Sequence, residues 1–197
     1  MPANSDPYTY PGTEVLRNIP DIHDAQLMAE FEALSTASKI VRLHFSSLPG
    51  RFDVAHLRSI HKFIFQDVFS WACDFRTVNI SKGGNFFGAA EFIEAALNDV
   101  LRRLPGENYL QNLDPQRVAC RAGFYLGEIN AVHPFREGNG RTQREFIREL
   151  AVTAGYQIEW GRMTRDQMIS ASRASFKTGD SSELAGLLST CLTLLHP

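Results

Sequence analysis

A chain of 197 residues with 44% hydrophobic and 21% charged residues can bury a core of its own, and it reads as one domain spanning 1–197. A net charge of −2 and a pI near 6.3 exclude a strongly basic surface that would draw the whole molecule to nucleic acid or an anionic membrane. The three cysteines, Cys73, Cys120 and Cys191, form no C-x-x-C pair, which argues against a disulfide framework or zinc knuckle and leaves a reducing cytoplasm as the expected compartment.

Residues 1–20 carry four prolines and one glycine and read as an irregular arm. Its start, "MPANSDPYTYPG", lacks the basic and apolar regions of a signal peptide. A helix is expected from Asp24, with Leu27, Phe31, Leu34, Ser38 and Val41 on its inward face. "SSLPGRFD" breaks it, and Val54, Leu57, Ile60, Ile64 and Val68 set a second helix from Val54 to Phe69. The period then changes. Arg76, Val78 and Ile80 alternate with Thr77, Asn79 and Ser81, "KGGN" turns and "FFGA" returns, so residues 76–88 read as a short β-hairpin.

Helical pattern resumes from Ala90 to Leu104. The next helix, Gln116 to Val132, buries Val118, Ala122, Leu126 and Ile129. Another, Arg141 to Ala154, points Ile147, Leu150 and Ala154 inward and stops at Gly155. Thr164 and Gln167 have capping-box spacing, and Asp180 and Glu183 repeat it before the last helix. "LAGLLSTCLTLL" is too short to cross a bilayer and is interrupted by serine and threonine. The fold class expected is mainly α, about seven helices with one hairpin.

"HPFREGNGRTQREF", residues 133–146, lies between two of these helices. Gly138 and Gly140 can take left-handed backbone angles that turn successive N–H groups inward as an anion nest. The next helix aims its positive end at the same place. Arg141 and Arg144, three apart, can clamp phosphate oxygens. Glu137 is a hard oxygen ligand suited to Mg2+ beside phosphates. His133 has an ordinary pKa of about 6.5 and can take a proton at neutral pH. The bland reading of each piece is a glycine turn, a solvated arginine face and a capping histidine; their joint spacing favours chemistry. Pro134 stops the first helix and Phe135 anchors the loop. His56 and His61, five apart and off a common helix face, read as packing or surface residues rather than metal ligands.

"HPFREGNGRTQR" resembles the Fic-domain active-site motif, H-x-F-x-[DE]-G-N-G-R-x-x-R, at every defined position. "YTYPGTEVLRN", "LRSIHKFIFQDVFSWACDFRTVNISKGGNFF" and "AGYQIEW" resemble segments around that motif, so the likeness covers nearly the whole chain. It implies the helical Fic fold and transfer of AMP from ATP to a protein hydroxyl. By the resemblance, His133 is the base and Glu137 binds Mg2+. Gly138, Asn139 and Gly140 form the anion-binding turn, and Arg141 and Arg144 hold the triphosphate. Arg148, outside the motif, reads as surface charge. The related Doc proteins carry a lysine where this chain has Gly140 and transfer a phosphoryl group, so Gly140 favours AMP. The hairpin corresponds to the family's flap, which aligns the target's segment by main-chain pairing; Val78, Asn79, Ile80 and Lys82 are its docking residues, with Phe86 and Phe87 beside them.

No glutamate of the 197 residues follows a Ser or Thr by four positions, so the family's inhibitory pattern [ST]-x-x-x-E-[GN] is not present. The resemblance is therefore to the class inhibited by a separate antitoxin. It implies a small helical partner carrying that pattern, with a DNA gyrase or topoisomerase IV ATPase subunit as target; a secreted relative would meet host GTPases. The contrasting expectation is a nucleotide-binding interaction protein without transfer activity, or a relative that uses another phosphate-containing donor.

Overall fold

The structure, a computed structural model, describes residues 6–82 and 85–195. The described residues form seven α-helices and four short strands. In chain order these are α1 Ala25–Phe45, α2 Val54–Phe65, β1 Ser81–Lys82, β2 Asn85–Phe86, α3 Ile93–Leu101, α4 Pro115–Val132, α5 Asn139–Thr153, β3 Tyr156–Ile158, α6 Arg165–Thr178, α7 Ser182–Cys191 and β4 Leu192–Leu194. β1 pairs with β2 and β3 with β4, both antiparallel. No described helix is long and apolar enough to cross a membrane.

Helix starts follow side-chain capping. Asp24, Asp53 and Asp114 each accept from the N–H three residues on, at Leu27, His56 and Arg117. Thr164 and Gln167 complete the expected capping box, and Gly155 leaves α5 with φ +90°. The centre is α4, which packs against α3, α5, α6 and α7. Its expected inward residues Val118, Ala122, Leu126 and Ile129 are buried. It meets α7 closely at Gly123, where an added Cβ would lie 2.8 Å from the backbone nitrogen of Ala185.

Several expectations change. On α1 the face containing Leu27, Leu34 and Val41 points outward, at 54%, 75% and 54% exposure, while Met28, Thr36 and Leu43 are buried. Both stripes fit a helical period, and packing on α2 selects the second. α2 ends at Phe65, although Val68 and Phe69 stay buried in the turn beyond it. The hairpin is shorter than 76–88: only Ser81–Lys82 and Asn85–Phe86 form a ladder, and the turn residues Gly83 and Gly84 lie outside the described residues. Arg76 is drawn out of the strand because its backbone N–H donates to Pro134 O at 3.0 Å. The β3–β4 pair was not expected; three residues are too few to display a period.

Arg148 is not surface charge but buried at 7% exposure. Its guanidinium donates to Glu145 at 2.8 and 2.6 Å and to the Leu43 carbonyl at 3.1 Å, anchoring α5 to the end of α1. Glu149, buried beside it, lies 3.0 Å from His56 Nε2, close but off the hydrogen-bonding direction. α5 thus rests on a buried polar layer, while Phe146, Ile147 and Leu150 fill the core.

The α4–α7 approach gives a stability prediction. Gly123→Ala forces a methyl against the Ala185 backbone and should cost about 1–3 kcal/mol. Urea unfolding would register this as a lower midpoint with an unchanged slope; an unchanged midpoint would show that α7 can yield.

Candidate active site

The loop 133–138 joins the C-terminal end of α4 to the N-terminal end of α5. His133 caps α4 in a left-handed conformation, φ +49° and ψ +65°, which is costly for a residue with a Cβ. Arg76 over-determines that conformation. Its Nε donates to His133 O at 2.8 Å and its Nη2 to Val132 O at 3.1 Å. Its remaining donors reach Val78 O, at 2.8 Å, and Gly88 O. This guanidinium, 2% exposed, holds the foot of the flap to the last carbonyls of α4. Burial pulls its pKa down.

The imidazole of His133 stacks on Phe87, centroids 3.8 Å apart and planes at 18°. Its Nδ1 lies 3.3 Å from Asn130 O. With the proton on Nδ1 donated to that carbonyl, Nε2 is the acceptor nitrogen.

Asn139 closes the loop from inside. Its Oδ1 accepts from Phe135 N at 2.9 Å and its Nδ2 donates to Phe135 O at 2.7 Å. Its side chain is thereby turned back into the loop, away from the open end of α5. Gly138 is the N-cap at φ +80°, and a Cβ there would lie 2.2 Å from the Phe65 ring, so angle and space both require glycine. Gly140 is not left-handed; it is the second residue of α5. The first intrahelical bond runs from Thr142 N to Gly138 O, 3.1 Å, so the N–H groups of Asn139, Gly140 and Arg141 precede it and face the site.

His61, absent from the expected site, supports this loop from α2. Its Nδ1 accepts from Cys73 N at 2.9 Å, so the ring proton sits on Nε2, which lies 3.0 Å from Glu137 O. Burial lowers its pKa to about 4, keeping the ring neutral between Phe65 and Phe135.

The cations are held differently. Arg141 donates to Thr36 Oγ1 at 3.0 Å, pairs with Glu32 and lies 4.7 Å from the Phe65 ring centroid. Burial pushes the Glu32 carboxyl up, against the opposing pull of Arg141. Among the described residues the half-buried Arg144 guanidinium has no hydrogen bond or ion pair; burial and the charge of Arg141 lower its pKa. Glu137 Oε1 accepts from Gly138 N at 2.8 Å and lies 3.5 Å from Arg141. Among the described residues no group of three or more His, Cys, Asp or Glu could hold a metal unaided. A carboxylate that supplies one corner beside phosphates still fits Mg2+, which keeps several waters and takes one or two protein ligands.

The flap reaches His133 through Phe87 and Arg76. Ile80 O accepts from Phe87 N at 3.2 Å and Asn79 Oδ1 from Ala90 N at 2.9 Å, while Lys82 closes β1. The arm braces both walls: Asp6 accepts from Arg136 at 2.6 and 2.9 Å, and the Tyr8 hydroxyl accepts from Thr77 N at 3.0 Å. Arg76 and His61 could have been suspected from sequence, since each puts a polar residue in register with apolar ones. Nothing local marks Glu32, Thr36 or Asp6.

A Fic/DOC family model matches residues 51–151, which include the flap and the loop. The chain is 40% identical over 191 residues to protein adenylyltransferase VbhT of Bartonella schoenbuchensis, covering 97% of this chain but 40% of that protein. It is 39% identical to the Sinorhizobium fredii protein named probable protein adenylyltransferase y4lH, covering 93% and 94%. Among solved structures, the ADP-bound N-terminal Fic domain of a VirB-translocated Bep effector from Bartonella quintana superposes with TM-score 0.89 at 30% identity, covering 95% of this chain and 94% of that one. The chain belongs to the Fic/DOC family, and its fold is the Fic fold.

The Asn139 clasp yields a test. Asn139→Ala leaves the buried N–H and carbonyl of Phe135 without partners and should cost about 2–4 kcal/mol. Asn139→Asp keeps the acceptor for Phe135 N but sets a carboxylate oxygen against Phe135 O, so it should lose stability as well. Equal unfolding midpoints for both variants and the parent would mean the loop does not depend on the clasp.

Proposed function

We propose that the chain is a protein adenylyltransferase, transferring AMP from ATP to a hydroxyl side chain of a target protein. The observation that carries this reading is the meeting of His133 with the open N-terminal end of α5 across one short loop. Relatives named protein adenylyltransferase and a family structure holding ADP support it.

In this reading the phosphates lie on the N–H groups of Asn139, Gly140 and Arg141, inside the turn made by Gly138, with the Arg141 and Arg144 guanidiniums around them. His133 removes the hydroxyl proton as that oxygen bonds to the α-phosphorus. The bond from the α-phosphorus to the oxygen bridging to the β-phosphate breaks, and pyrophosphate leaves. Glu137 would hold Mg2+, which when bound neutralises phosphate charge. The flap would align the target's segment by its outer edge. The Val78 and Ile80 carbonyls are occupied within the molecule, so the outward backbone groups are those of Asn79 and Ser81.

Incubation with labelled ATP, Mg2+ and bacterial lysate tests this. His133→Ala should bind ATP yet label protein some 10²–10⁴-fold more slowly. Glu137→Ala should weaken Mg2+-dependent nucleotide binding and transfer together. Near-normal labelling by His133→Ala would remove the base, and a parent chain that binds ATP without labelling anything would favour an interaction protein.

The control and target readings complete the proposal: a bacterial toxin acting in the cytoplasm on a gyrase or topoisomerase IV ATPase subunit, held inactive by a small helical antitoxin. Two features support a partner in trans. Arg144 is half-buried and pairs with no carboxylate among the described residues, and α1 presents Leu27, Leu34 and Val41 as an exposed stripe seven residues apart. A partner carrying [ST]-x-x-x-E-[GN] would lie on that stripe and offer its glutamate to Arg144. Co-expression should suppress toxicity, and changing the partner's glutamate to glycine should restore AMP transfer while the complex persists. A lone chain activated only by trimming its own termini would show that inhibition is internal.

A further inference from the structure

We infer that the flap builds the base as well as facing the target: Phe87 is a positioning residue for the His133 imidazole, and Arg76 for its backbone. The inference rests on the AMP-transfer reading for its kinetic part only.

Two contacts carry it. The Phe87 ring covers the His133 ring at 3.8 Å and 18°, and Phe176 of α6 meets Phe87 edge-on at 5.6 Å. The imidazole therefore has a wall on one face, itself backed by a second aromatic. Its Nδ1 contact with Asn130 O, 3.3 Å, fixes rotation within the plane. Phe87 is in turn placed by the flap, since its N–H donates to Ile80 O at 3.2 Å.

The backbone is fixed from the same element. Through its side chain and its own N–H, Arg76 donates to the carbonyls of three consecutive residues, Val132, His133 and Pro134. Gly88 N adds a bond to Ala131 O at 3.1 Å. A left-handed residue before a proline has few ways to persist, and these bonds remove the others. A flap that only aligned a target would need neither the stack nor the guanidinium. Here any shift of the strand foot moves the base.

The test separates positioning from docking. Phe87→Leu, at a half-buried site, removes the aromatic face; Phe87→Tyr keeps it. Labelling of lysate protein from labelled ATP is followed at limiting and saturating lysate. ATP affinity is measured by calorimetry, and the His133 ring protons by NMR, assigned by their loss in His133→Ala. Phe87→Leu should lower the saturating rate about ten- to a hundredfold, with ATP affinity and the lysate concentration for half-maximal rate unchanged. Its His133 ring protons should lose the upfield ring-current shift of the stack. Phe87→Tyr should keep rate and shift, and Arg76→Lys should lower the saturating rate in the same way. A saturating rate unchanged by Phe87→Leu, or a change only in the half-maximal lysate concentration, would reduce the flap to docking and overturn the inference. Ring protons that do not move would overturn it equally. If Arg76→Lys does not fold, the two Phe87 variants decide. If the parent labels nothing, the AMP-transfer reading fails by itself, and the NMR comparison still decides where the ring is held.

Discussion

A buried guanidinium with no carboxylate partner is expensive unless something else answers its charge. At Arg76 the answer is backbone: carbonyls of Val78, Gly88, Val132 and His133 surround it. Two of these belong to the end of α4, where carbonyls have no intrahelical donor and the helix dipole is negative. The planar fork of arginine reaches several such groups at once, which an ammonium could not. Flap, helix end and the left-handed turn at His133 all depend on this one side chain.

The other end of the loop has the opposite polarity. α5 begins with free N–H groups at the positive end of its dipole, and Gly138 is the residue that lets the chain turn close enough to Phe65 to present them. Within six residues the backbone passes from the negative pole of one helix to the positive pole of the next. A proton acceptor at the first and phosphates at the second match that field without added charges. Asn139 and neutral His61 both direct hydrogen bonds onto the loop backbone, which keeps the two poles at fixed separation.

Much of this was legible in the sequence, for physical reasons. Thr164 marks a helix start because its oxygen serves an orphan N–H locally, whereas Asp180 and Glu183, of like spacing, form no capping box at α7; "GNG" between helices announces a turn that needs glycine. What could not be read depends on partners distant in sequence. Arg148 has the spacing of a surface residue, yet Leu43 and Ser47 meet it from the end of α1. The stripe Leu27, Leu34, Val41 has the period of a core face, but a second face of α1 had better contacts with α2. Asn139 reads as a cradle residue, and only the fold reveals that its side chain turns back to Phe135.

Helix α1 links these observations. Glu32 and Thr36 on the inward side of α1 hold Arg141, while its outward side is apolar and uncovered. Arg141 is thus set in place by the fold itself, at the cost of a half-buried carboxylate whose charged form burial disfavours. Among the described residues Arg144, three residues on, has no such holder. One arginine of the pair is held by the fold and the other is not, so in the proposed reading an acidic group, phosphate or carboxylate, would be answered at Arg144. A partner on the outer face of α1 would rest on the helix that fixes the first arginine and compete for the second.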